Sequence, residues 1–140
     1  MTTTPDSAKQ INYHMSRPGI GHMPSYLTSG TPFMTGALTI DMETSEKISF
    51  PRIAREVVIV TKAAPDLRVS FVANITGDAG VLNYVTLTED RDSFTFRCKC
   101  KEIYIYNVDG SSPGKYELYA ELTNIDSDEM YELTGSGITK

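Results

Sequence analysis

A chain of 140 residues and 15.5 kDa has room for one domain of the usual ~100–150 residues plus an arm, and not for a multidomain enzyme. Thirteen Lys and Arg against eighteen Asp and Glu leave a net charge of -5, which excludes bulk-charge packaging of nucleic acid or adhesion to an anionic membrane. With 40% hydrophobic and 22% charged residues the chain can bury one core, which excludes disorder throughout.

Residues 1–33 differ in character from the rest of the chain. Pro5, Pro18, Pro24 and Pro32, with Gly19, Gly21 and Gly30 between them, interrupt any helical or strand period. Ile11, Tyr13, Met15, Ile20, Met23, Tyr26, Leu27 and Phe33 nevertheless supply apolar anchors that a purely solvated tail lacks. An extended arm that lies against a partner is expected, with these eight residues as its contacts. The segment also lacks the basic and apolar regions of a secretory signal, and no later run reaches the roughly 18 apolar residues of a membrane span, so a soluble protein made in a cytoplasm is expected.

From residue 34 onward, short runs rich in Val, Ile, Thr, Tyr and Phe alternate with turn residues, the pattern of strands. GALTIDM (36–42) and EKISF (46–50) come first, then RIAREVVIVTK (52–62) after Pro51. Its continuous VVIV run suits a strand near the centre of a sheet or buried on both faces. LRVSFVAN (67–74), VLNYVTLT (81–88), SFTFRC (93–98) and EIYIYNV (102–108) come next, the last with Ile103, Ile105 and Asn107 on one face. After the turn cluster DGSSPG (109–114), KYELYAELTNI (115–125) alternates Tyr116, Leu118, Ala120 and Leu122 against Lys115, Glu117, Tyr119 and Glu121, so one face of its sheet is wet. EMYELT (129–134) is strand-like before a Gly-rich end. About eight short antiparallel strands at this spacing predict an all-β, jelly-roll-like β-sandwich over residues 34–140. Oligomerisation is one way to cover its open edges.

Chemistry-bearing patterns are sparse. There is no GxSxG, HExxH or P-loop, and His14 and His22 both lie in the arm, so neither an enzyme nor a cofactor is implied. Gly19-Ile20-Gly21 and Gly135-Ser136-Gly137 do not open a helix after a strand and make no phosphate cradle. Cys98 and Cys100, on one extended strand, would share a face and sit poorly for a disulfide, whose Cβ atoms approach to about 3.5–4.5 Å; free thiols are expected, and no metal site. Glu89, Asp90 and Asp92, and Asp126, Asp128 and Glu129, form two acidic turns read as solvated charge, with calcium the alternative for the second. Tyr104, Tyr106, Tyr116 and Tyr119 lie on two runs that can pair across DGSSPG, as core packing, a protein interface or a sugar-stacking platform. Arg97, Lys99 and Lys101 are expected to pair with carboxylates of a neighbouring strand or subunit.

Residues 35–139 as a whole resemble small structural proteins of marine tailed bacteriophages. The phrases that carry the likeness are MTGALTI (34–40), KISFPRIAREVVIVTKAAPDLRVSF (47–71), FRCKCKEIYIYN (96–107), YELYAELTNI (116–125) and LTGSGIT (133–139). The resemblance implies a capsid decoration, cement or minor capsid subunit. Such a β-sandwich, often trimeric, sits on the shell, and its arm and sandwich edges bridge major capsid proteins after assembly in the host cytoplasm. No nucleic-acid or membrane partner goes with that reading. A carbohydrate-binding or adhesion module for host attachment is the alternative. Deleting residues 1–33 is expected to leave the β domain folded and to weaken attachment to a shell.

Overall fold

Elements appear in the order α1 (Met23–Leu27), β1 (Thr31–Ile40), β2 (Ser45–Ala63), β3 (Leu67–Ser70), β4 (Val85–Leu87), β5 (Ser93–Phe96), β6 (Cys100–Asn107), β7 (Gly114–Asp126) and a 3-10 turn at Ser127–Glu129. These come from a computed structural model, which describes residues 17–63, 65–73, 83–88 and 92–133. All strand pairs are antiparallel. The 19-residue β2 is the organising element: its first half, Ser45 to Ser49, pairs with β6, whereas the half from Arg52 to Ala63 pairs with β7 on one side and β5 on the other. Register shifts between Ser49 and Ala54 and around Ala54 mark where the strand leaves one sheet for the other, next to exposed Pro51.

Counting those halves as the second and third of eight strands, one sheet runs first–eighth–third–sixth and the other second–seventh–fourth–fifth. This interleaving of two sheets is a jelly roll, so the all-β sandwich expected from the strand spacing is the architecture. Contacts close the two layers face to face. Phe33 of β1 meets Phe50 of β2 edge-on at 5.2 Å, Phe71 meets Phe96 at 5.3 Å, and the Tyr116 hydroxyl of β7 donates to Glu46 across the interior at 3.2 Å.

The core follows from the alternation of each strand. Tyr116, Leu118, Ala120 and Leu122 point inward from β7, Ile103 and Ile105 from β6, Val57 and Ile59 from β2, and Leu67 and Val69 from β3. Each fully buried aliphatic side chain of this kind contributes about 1.5–3 kcal/mol. Asn107 is also buried, as its face predicts, and is satisfied at every turn. Its amide nitrogen donates to the carbonyls of Ile40 (3.3 Å) and Ser112 (3.0 Å), and its side-chain oxygen accepts from the Asp109 amide (3.0 Å). The β1–β2 turn adds Glu43, whose φ of 48° lies in the left-handed region and whose amide donates to Asp109.

Several local expectations change in three dimensions. Strand β1 starts at Thr31, earlier than Gly36, and Pro32 is tolerated because β1 is an edge strand paired only with β7. The Pro-rich segment contains a short helix, α1, because Pro24 sits in its first turn, where a missing N–H costs nothing. EMYELT is not a strand as far as residue 133: the chain turns at Ser127–Glu129 to bury Met130, and Thr134 lies outside the described residues. No helix among the described residues is long and apolar enough to cross a membrane.

Candidate interaction surface

The N-terminal segment from Arg17 to Gly30 lies along the end of the sandwich rather than away from it. Ile20 and Tyr26 pack on a second apolar cluster formed by Ile53, Ile125 and Met130, with Leu133 beside them. The Tyr26 hydroxyl donates to the Ile20 carbonyl and ties the turn at Ile20–Gly21 to α1, and His22 Nδ1 lies 2.6 Å from the Ser25 hydroxyl. Arg55 of β2 donates to the Tyr26 carbonyl at 2.5 Å and to the carboxylate of Glu121. Glu121 in turn accepts from the Gly30 amide at 2.9 Å. Gly30 is required by space: a Cβ there would meet the Leu122 carbonyl at 2.5 Å and Glu121 Cγ at 2.6 Å. Arg17 reaches Asp126 at 3.8 Å, and Arg52 also pairs with Asp126.

Glu121 thus clasps the segment to β7. The Gly30 amide first, and the Arg55 guanidinium second, hold its carboxyl below the usual carboxylate range. A depressed pKa means that the clasp contributes fully above the ordinary Glu value and is lost as pH falls through the lower folded value. The Gly30 amide resonance should therefore titrate in that acidic window, tracked by NMR, and Glu121→Gln should remove the titration. A Gly30 resonance that moves unchanged in the variant would show that another group governs it.

The eight arm residues divide by role. Ile11, Tyr13 and Met15 lie outside the described residues. Ile20 and Tyr26 are committed inward, and Phe33 is a β1 residue packed on Phe50. Met23 and Leu27, one helical turn apart on α1, face outward with exposures of 67% and 74%. Removing residues 1–33 would strip Ile20, Tyr26 and Phe33 from both clusters, so the domain's inward contacts begin before residue 34.

A second apolar surface lies on the outer face of the sheet built from β1, β7, the second half of β2 and β5. Met34, 72% exposed, stands opposite Tyr119, which stands opposite Val58; with Val60 and Gly36 they line a shallow groove of about 280 Å³. The VVIV run is therefore central in its sheet but two-sided, with Val57 and Ile59 in the core and Val58 and Val60 half-buried outward. The sequence assigns no contact role to Met34, Arg55 or Gly30, the last read there only as a break in the arm's period. Met34 was legible only as the start of a strand phrase, and the other two acquire their roles from partners far away in the chain.

The tyrosines do not form one platform. Strands β6 and β7 belong to different sheets and do not pair across DGSSPG, which leaves Tyr116 in the core, Tyr106 nearly buried, and Tyr104 and Tyr119 half-buried on separate outer faces. Burial and the Glu46 carboxylate push the Tyr116 hydroxyl pKa up. Tyr104 donates to Glu102 at 3.3 Å beneath the Lys47 ammonium. Of the basic run, Arg97 pairs with Glu56 and Lys101 with Glu132, whereas the Lys99 ammonium sits 4.9 Å over the Tyr26 ring. In the first acidic turn Asp92 accepts from the amides of Thr88 and Ser93, while residues 89–91 lie outside the described residues.

The cysteines also differ from an extended pair. The chain crosses from β5 in one sheet to β6 in the other at residues 97–99, and Cys98 sits at the bend, so the two cysteines are not successive same-face positions of one extended strand. Cys100 is buried opposite Ala54 and Cys98 is half-buried, and both are free thiols.

No known family model matches the chain, and no curated protein matches it. Among solved structures, a chain of Bacillus endospore appendages, which form disulfide-linked pili, is similar over 69% of this chain and 91% of its own length, with 17% identity and a TM-score of 0.37.

Proposed function

We propose that the chain is a structural subunit of a virus particle, a capsid decoration or minor capsid protein that binds and bridges major capsid proteins through its N-terminal segment and sandwich edges. The observation that supports this reading is the division of labour in that segment. One side of it is fastened to the sandwich by Ile20, Tyr26 and Gly30, while Met23 and Leu27 stand outward as a paired apolar contact. Jelly rolls recur in capsid proteins, a fold-level analogy that agrees with it. The edge strands, β1 and β5 in one sheet and the first half of β2 and β4 in the other, offer unpaired backbone to neighbours, including further copies of the chain in a trimer. On a shell surface, many copies of a modest contact add up through multivalency.

Co-sedimentation with decoration-free capsids tests the proposal. Saturable binding at a fixed ratio to the major capsid protein is expected. The double substitution Met23→Ser with Leu27→Ser should weaken it about tenfold while changing unfolding stability by less than about 0.5 kcal/mol, since neither side chain is buried. Absence of capsid binding by the intact chain would sink the reading, and a clear hit on a glycan array in its place would turn the assignment to host adhesion.

A further inference from the structure

The outer face of the sheet built from β1, β7, the second half of β2 and β5 is banded along its strands. Register places Glu121 beside Glu56 at one end, then Tyr119 between Met34 and Val58, then Glu117 beside Val60, with Lys62 and Lys115 at the other end. Thr95 and Ser93 of β5 continue the two middle rows past Val58 and Val60. Within the chain Glu56 pairs with Arg97, Glu121 with Arg55, and Lys62 with Glu117, whereas exposed Lys115 has no ion-pair partner among the described residues. In the middle, Met34 stands out 72% exposed beside the gap left by Gly36 in the groove of about 280 Å³. Nothing within the chain requires glycine there. Its backbone lies outside the left-handed region, and a Cβ would meet nothing nearer than Glu117 Oε2 at 3.6 Å, an ordinary contact. The face therefore presents a knob and a hollow side by side, the arrangement that a two-fold axis makes self-complementary.

We propose that two copies of the chain pair through this face about a two-fold axis lying across the strands, each Met34 entering the hollow beside the partner's Gly36. Charge selects that axis. An axis along the strands would lay the Glu56 and Glu121 end over its own copy and the Lys62 and Lys115 end over its own copy, like over like. An axis across the strands, midway between the Met34 and Gly36 rows, instead sets Glu56 over the partner's Lys62, Glu121 over the partner's Lys115 and Val58 over the partner's Val60. The strands of the two copies then run in line, as in aligned sheet packing. Four strands, with β7 contributing Lys115 to Glu121, make a face of about 20 by 20 Å, on the order of 500 Å² of accessible surface a copy. The pair totals about 1,000 Å², the floor for a specific interface, so the dimer is a weak one with a Kd of about 10–100 μM. This contact goes beyond the capsid reading and does not rest on it, since Met23 and Leu27 lie on α1 and all four edge strands keep their free backbone.

Sedimentation velocity of the full chain from about 1 to 500 μM tests the proposal, and a shift from 15.5 kDa toward twice that mass is expected across this range. Met34→Ser, which removes the knob, and Gly36→Val, which fills the hollow, should each raise Kd at least about tenfold with the circular dichroism spectrum unchanged. Lys62→Glu should weaken the dimer about fivefold, and Lys62→Glu combined with Glu56→Lys should return it to within about threefold of the parent. An axis along the strands would leave these two variants alike. A chain that stays monomeric at the highest concentration, a trimer in place of a dimer, or a dimer indifferent to Met34→Ser would overturn the proposal. If Gly36→Val proves unfolded, Met34→Ser and the charge reversals decide.

Discussion

Ile59→Asp should leave the chain without a cooperative unfolding transition. Ile59 is fully buried at the centre of a sheet, between Leu118 of β7 and Phe94 of β5, and no cation faces it from the core cluster. A carboxylate there must either remain ionised without a partner or take up a proton, and in both cases the apolar contacts of the isoleucine are lost. The cost exceeds about 4 kcal/mol, a large share of the ~5–15 kcal/mol by which a domain is stable. Its neighbour provides the control. Val58 points outward beside Tyr119, so Val58→Asp should cost only about 1 kcal/mol. Circular dichroism during urea titration distinguishes the two; similar losses for both would mean that the inward and outward assignment of the VVIV run is wrong.

Asn107→Ala is expected to have the second-largest effect, for a reason unrelated to volume. Its side chain joins three backbone groups from two connections, the Ile40 carbonyl at the end of β1 and the Ser112 carbonyl and Asp109 amide of the DGSSPG loop. Truncation removes a fully buried side chain and leaves these groups without their partner, at a cost of about 3 kcal/mol. Asn107→Asp should be no rescue, because a carboxylate turned toward the Ile40 and Ser112 carbonyls meets two acceptors. A denaturation midpoint within error of the parent for Asn107→Ala would show that water replaces the amide there.

What could be read in the sequence was local periodicity. The alternation of Tyr116, Leu118, Ala120 and Leu122 placed an entire face of β7 inward, and Ile103, Ile105 and Asn107 did the same for β6. Less legible was anything set by which run lies beside which. Tyr104 and Tyr116 look like neighbours along the chain, yet their strands belong to different layers. Pro51 reads as a separator of two strands, and the chain instead bends there without interruption. The Cys98–Cys100 spacing implies an extended pair only if the strand starts before Cys98, and it starts at Cys100. The candidate surface was half visible: the apolar character of Ile20, Met23, Tyr26 and Leu27 was plain, but which of them turn inward depends on Ile53, Ile125 and Met130, distant in sequence.

The passage of β2 through both sheets has a mechanical consequence. In most sandwiches the two layers are joined by loops, which stretch before the layers part. Here a continuous strand carries load from one layer into the other through the peptide backbone between Ser49 and Ala54, with a ladder of hydrogen bonds gripping it on each side. Peeling one layer from the other therefore requires shearing β2 out of β6 or out of β7 and β5, so delamination and unfolding become the same event. A subunit made this way gives up tension as a unit or not at all.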